Sequence, residues 1–224
     1  MIRVIDRPPL PFLISLNMGH TRLGISCSWI AAIAAAGYTI SQLLQITGVL
    51  ASPLDAILIY GFSLCIAPPF LLAILALHYT APSNKKIWTH AALLFGGMYN
   101  TFVILMYGEQ LSAVIPYHLN DPVLTVTPHS LFWNLDALGY ISMGLATGFL
   151  VPVFSRYGNE KYVKWFFLAH ALITPIVAVV YFSPRFSIPL LLMASPWSIT
   201  ASGSMICLAH FFKRNSIKNV SLRN

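Results

Sequence analysis

Residues 88–110, WTHAALLFGGMYNTFVILMYGEQ, limit what this chain can fold into more than any other stretch. The run follows Lys85 and Lys86 and carries no formal charge until Glu109. At a helical rise of about 1.5 Å per residue, roughly 20 such residues cross a hydrocarbon layer of about 30 Å. The stretch therefore reads as a membrane-spanning helix with a basic foot and an acidic head.

The pattern recurs. Apolar runs at about 25–47, 55–79, 88–110, 130–153, 163–182 and 187–212 predict an all-α, polytopic integral membrane protein of six transmembrane helices in a single membrane domain, 1–224. Only 8% of the 224 residues are charged and 57% are hydrophobic, against a charged share of roughly 25% in soluble domains. Nearly every residue lies in or beside a span, so no room is left for a separate soluble domain.

Charge orients the chain. If both termini are cytoplasmic, that side holds Arg3, Arg7 and Arg22 in the arm 1–24, Lys85, Lys86, Arg156, Lys161 and Lys164 in two loops, and Lys213, Arg214, Lys218 and Arg223 in a basic tail, 213–224. Arg185 alone falls outside. Such bias matches the positive-inside rule and requires an even number of spans. The arm carries a short, proline-broken apolar run and is expected to be retained and to lie along the membrane surface; the tail is expected to fray. The expected compartment is a plasma membrane, specifically a bacterial inner membrane, with the basic side cytosolic. The formal charge of +7 lies at helix ends and not in a patch interleaved with aromatics, which argues against nucleic acid as a partner.

Several residues should shape the spans. Ala31, Ala32, Ala34, Ala35 and Ala36 suit close helix contact in the first, and Pro68 with Pro69 should kink or split the second. In the fourth, Gly144 and Gly148 make a GxxxG face, for which packing within the chain is preferred over a homo-oligomer. Pro175 of the fifth span matches Pro68 and Pro69 if the chain is two inverted halves, the pattern of a midplane transport site; no matching side chains surround them, and coincidence is the preferred reading. The turn at 183–187 makes the fifth and sixth spans antiparallel neighbours. The connection 111–129 is free of lysine and arginine, and its VLTVT run can fold back over the bundle.

Under this orientation the polar residues sort by depth. Gln42, Gln45, Asp55, Tyr60, Tyr107, Glu109, Gln110, Asn134, Asp136 and Tyr140 all reach the outer third. Asn100, Tyr107 and Gln110 share one stripe of the third helix, and Trp133, Asp136 and Tyr140 one stripe of the fourth. They are expected to line an outward-facing pocket formed mainly by helices one to four, with charge from Asp136 and Glu109, hydrogen bonds from Asn134, Gln42 and Gln45, and an aromatic wall of Tyr140 and Trp133 for a cation. Asp136, the deepest, is the leading candidate. The competing account leaves the carboxylates in interfacial water and the amides fixing helix packing.

This predicts a protein that binds, senses or moves a small cationic or amphipathic ligand. A membrane redox protein with haem between His90 and His170 is a lesser alternative, and a non-catalytic assembly partner using the glycine face is another. Cys27, Cys65 and Cys207 are scattered singly, and neither HExxH nor paired cysteines support a metal, so no cofactor is expected. GxSxG, Walker A and a mid-helix lysine are likewise lacking, and no catalytic motif favours an enzyme.

Overall fold

The computed structural model describes residues 10–221, with side chains from 19 to 217. Its helices are α1 (Leu10–Ile46), α2 (Leu54–Thr80), α3 (Lys86–Glu109), α4 (Leu131–Leu150), α5 (Glu160–Phe182), the short α6 (Ile188–Met193) and α7 (Pro196–Ser221). No strand occurs among the described residues. Six helical segments are long and apolar enough to cross a membrane, with α6 and α7 together making the last.

The helices close into a ring. Each long helix packs on the next in sequence, α1 on α2 through to α4 on α5 and α5 on α7, and α7 returns to α1. The closure depends on small residues. Ala31, Ala32, Ala34 and Ala35 are all buried between the neighbours of α1, while Ala36 faces outward. A Cβ on Gly24 would lie 2.6 Å from Phe212 of α7, and one on Gly37 would lie 2.4 Å from Phe62 of α2. Between α4 and α5 the fit is tighter still: a Cβ on Gly144 would overlap Thr174 at 1.7 Å, and one on Gly148 would touch Ala171 at 3.4 Å. The GxxxG face is thus covered within the chain.

The outside of the ring is as apolar as its interior. Ile33, Ile87, Leu94, Leu172, Val179 and Ile199 are all more than 60% exposed, an arrangement that water would penalise and hydrocarbon favours. The described lysines and arginines, Arg185 excepted, gather at one end. There Lys85 Nζ donates to the carbonyl of Pro152, Lys164 Nζ donates to that of Phe154 over 3.0 Å, and Phe154 packs edge-on against Phe211. This is called the basic end below.

Four expectations require correction. The arm does not stay separate through residue 24: α1 begins at Leu10, because nothing between Phe12 and Arg22 interrupts a helix. Residues 1–9 lie outside the described part. The proline pair does not split α2, which runs unbroken from Leu54 to Thr80; Asn100 Nδ2 donates over 2.7 Å to the carbonyl of Ala67, immediately before Pro68. The last span is instead divided at 194–195, where Pro196 has no N–H to continue the ladder and starts α7 afresh. The basic tail is not separate from the last span at residue 213 but continues α7 to Ser221. The 111–129 connection does fold back: α3 ends in a π-helical turn, Gln110–Val114, whose Gln110 Nε2 donates to the carbonyl of Leu124, and Leu124 and Val126 pack on the core.

Candidate ligand-binding site

One carboxylate sits inside the ring. Asp136, on the buried stripe of α4, is 8% exposed. Tyr107 of α3 donates its hydroxyl to Asp136 Oδ1 over 2.7 Å, and Tyr181 of α5 donates to Oδ2 over 2.6 Å. Both oxygens therefore accept from phenols, with no lysine, arginine or histidine in hydrogen-bonding contact among the described residues. A buried carboxylate is ordinarily paired or heavily hydrogen-bonded, because desolvating the charge is costly.

More phenols surround this centre. Tyr60 of α2 stacks on Tyr107 with ring centroids 4.9 Å apart, and Tyr38 of α1 shares a 2.8 Å hydrogen bond with Tyr140, one turn below Asp136 on α4. Trp197, at the start of α7, closes the ring by meeting Tyr140 edge-on at 4.8 Å and Tyr38 at 5.6 Å. Five long helices thus each contribute a tyrosine, and the sixth a tryptophan. Trp133 supports the assembly from above: its Nε1 donates to the carbonyl of Tyr181 over 2.9 Å, with the two rings 4.5 Å apart.

A cavity of about 320 Å³ opens beside this cage. Tyr38, Thr39, Gln42, Leu43 and Ile46 of α1 form one wall, and Leu191, Leu192, Ser195, Trp197 and Ser198 around the α6–α7 break form another. Val177 and Tyr181 of α5, with Tyr140, close its depth. No charged side chain lines it. Tyr181 is the link, since it walls the cavity while its hydroxyl holds Asp136. A second, water-sized space of about 10 Å³ brings Asp136 together with Ser63, Tyr99, Tyr107, Tyr140 and Trp197. The break before Pro196 makes the larger cavity possible by interrupting the wall that a continuous last helix would present.

The residues expected to form one pocket are divided by the structure. Tyr140 and Gln42 line the cavity, while Asp136 and Tyr107 lie in the cage behind it. Trp133 braces Tyr181. Gln45 donates to Asp55 Oδ2 over 2.8 Å and accepts from Gln42 over 3.2 Å, so this pair ties α1 to α2. Gln110 is committed to Leu124, and Glu109 and Asn134 are partly exposed and make none of the Asp136 hydrogen bonds. The cavity is bounded by α1, α4, α5 and the α6–α7 junction, not by helices one to four. Tyr38, Tyr181 and Trp197 were missed because each is a lone aromatic in an apolar helix, a pattern that core packing also produces; the packing of α5 on α4 brings Tyr181 to Asp136, and the contact of α7 with α1 brings Trp197 to Tyr38.

The histidines proposed as a haem pair do not meet. His170 is buried on α5, with Nδ1 3.0 Å from Thr200 Oγ1 and its ring 5.9 Å from that of Trp197. His90 is exposed on α3, its ring 5.8 Å from that of His78. The two helices are not neighbours in the ring. No group of three or more potential metal ligands occurs among the described residues.

Comparison of the chain with protein-family models, with curated proteins and with solved structures finds no match.

Proposed function

We propose that this chain is a six-span membrane protein, with its basic end in the cytosol, that binds and moves a small amphipathic cation through the cavity beside the tyrosine cage. The carrying observation is the arrangement of Tyr181, which borders the cavity and donates to a carboxylate that has no counter-charge. A phenol that donates its proton keeps oxygen lone pairs able to accept from an ammonium N–H. Ligand charge can therefore act on Asp136 through one shared hydroxyl. The faces of Trp197, Tyr38 and Tyr140 suit a cation, and Leu43, Ile46, Leu191 and Leu192 suit its apolar part.

The positive-inside bias supports the orientation. The cavity then opens toward the outer side, since Gln42 and Ile46 lie near the end of α1 remote from the basic end. Apolar side chains at its rim, Leu43 at 56% and Leu192 at 48% exposure, favour approach from the lipid layer.

Titration of the detergent-purified protein with phenethylamine and with its neutral isostere 2-phenylethanol tests this reading. The amine is expected to bind at least tenfold more tightly, and Leu192→Trp, which fills the cavity, is expected to abolish both. Equal affinity for the two compounds would remove the cation; binding that survives Leu192→Trp would remove the cavity.

A further inference from the structure

Five buried side-chain polar atoms lack a hydrogen-bond partner among the described residues, and four of them, Ser28 Oγ, His170 Nε2, Trp197 Nε1 and Ser204 Oγ, belong to α1, α5 and α7. These helices are neighbours, α7 packing on both of the others. The remaining atom, Asp55 Oδ1, is at the far end of the bundle beside Gln45.

The two serines depart from the behaviour of their kind. A serine inside an apolar helix ordinarily donates to a carbonyl one turn back. Ser41, Ser63 and Ser142 do this with Gly37, Ile59 and Leu138. Ser28 and Ser204 do not, although they are 0% and 1% exposed.

The chemistry of His170 follows from its neighbour. Thr200 has one hydroxyl proton and lies 3.1 Å and 3.0 Å from the carbonyls of Pro196 and Trp197. In the tautomer where that proton serves a carbonyl, His170 donates Nδ1–H to Thr200 Oγ1 and its Nε2 carries a lone pair; this is the tautomer able to take up a proton at Nε2. Thr200 and Trp197 of α7 are its polar and aromatic contacts, and among the described residues no charged side chain hydrogen-bonds to it. Its Nε2 is a buried ring nitrogen without a hydrogen-bond partner among the described residues.

These atoms are ordered in depth. Trp197 borders the small space that holds Asp136. His170 follows, and Ser204 lies one turn beyond Thr200. Ser28 is ten residues from Tyr38, about 15 Å along α1. One turn further, Gly24 abuts Phe212, beside Lys213 and Arg214 at the basic end.

We infer that the α1–α5–α7 seam is a hydrated proton route from the tyrosine cage to the basic end, with His170 as its titrating station. Waters hydrogen-bonded to Trp197 Nε1, His170 Nε2, Ser204 Oγ and Ser28 Oγ would satisfy all four orphan atoms at once. The carboxylate of Asp136 first takes up a proton from the cage side; that proton then leaves by breaking the O–H bond and passes along this water to form N–H at Nε2, returning Asp136 to the carboxylate that accepts from Tyr107 and Tyr181. The imidazolium then returns it from Nε2 to the water beside Ser204, and no other reactant is consumed. The route goes beyond the cavity and does not depend on which ligand the cavity takes.

The test is proton flux into proteoliposomes holding a trapped pH-sensitive dye, after a pH step with the membrane potential clamped by potassium and valinomycin. The wild-type chain is expected to conduct at least tenfold faster than protein-free vesicles. His170→Gln, whose amide can keep the bond to Thr200, should lose at least tenfold of that excess, and Ser28→Ala with Ser204→Ala at least threefold. Wild-type flux no faster than protein-free vesicles overturns the route, as does full flux in the double serine variant. Should the glutamine variant aggregate on gel filtration, the serine pair decides, because removing two unpartnered hydroxyls leaves packing intact. Phenethylamine titration of the same samples separates the two ideas: normal binding without flux sinks only the route, and flux without binding sinks only the cavity.

Discussion

Tyr181 and Asp136, 45 residues apart in sequence, are joined by a 2.6 Å hydrogen bond in which the phenol also forms the wall of a cavity. Any molecule that hydrogen-bonds to Tyr181 from the cavity therefore alters what Asp136 receives. Under the proposed function the carboxylate would respond to a ligand without touching it.

Asp136→Asn tests that coupling. The amide keeps the shape but removes the charge, and one of its two former acceptor positions becomes a donor that faces a phenol also built to donate. Phenethylamine affinity is expected to fall at least tenfold while that for 2-phenylethanol changes less than threefold, as read by calorimetry. A parallel loss for both compounds would mean that the cage had collapsed and that charge was not the cause.

Tyr181→Phe should separate stability from binding. Its loss leaves Asp136 Oδ2 without a donor, an omission that costs about 1–3 kcal/mol when the group is buried. The thermal midpoint in detergent should drop, and by more than for Tyr38→Phe, whose hydroxyl serves only Tyr140. Equal midpoints for the two variants would show that the Tyr181 bond contributes no more than the Tyr38 bond.

The α4–α5 seam makes a sharper structural prediction. Gly144→Ala sets a methyl on Thr174 and should destabilise the protein by roughly 1–3 kcal/mol, the usual cost of overpacking. Gly148→Ala, which meets Ala171 at an ordinary 3.4 Å, should change stability by less than about 0.5 kcal/mol. Unfolding in a graded denaturing detergent gives the order directly, and the reverse order contradicts the packing described.

Orientation is checked by chemistry from outside the cell. In a chain whose Cys27, Cys65 and Cys207 are replaced by alanine, a cysteine at Asp121 should react with a membrane-impermeant maleimide in intact cells. One at Asn159 should react only after the cells are opened. Exchange of these two results would place the cavity on the cytosolic side.

Much of the architecture was legible because charge and apolarity repeat with the thickness of a bilayer. Asp136 could be singled out as well, since a carboxylate two turns inside an apolar helix has few bland explanations. Of its two hydrogen-bond partners, Tyr107 was placed at the same depth by sequence and Tyr181 was not. Tyr181 and Tyr38 look like any aromatic in a buried helix, and which tyrosine reaches Asp136 is decided by how α3 and α5 are turned where they pack on α4. The pairing of His90 with His170 failed for the same reason: depth along a helix is readable from sequence, but the angle around the ring is not. The divided last span turned on Pro196, which resembles Pro68, Pro69 and Pro175 in sequence although those three leave their helices unbroken.

The contact of α7 with α1 also fixes the timetable of biosynthesis. The first helix leaves the ribosome roughly 150 residues before its second neighbour exists, and until then Tyr38, Ser28 and the alanine face have only α2 beside them. A nascent chain stalled before Pro196 would hold an unclosed arc with Asp136 open on the side that Trp197 later covers. Release of the final helix is the step that closes the ring the other five long helices begin.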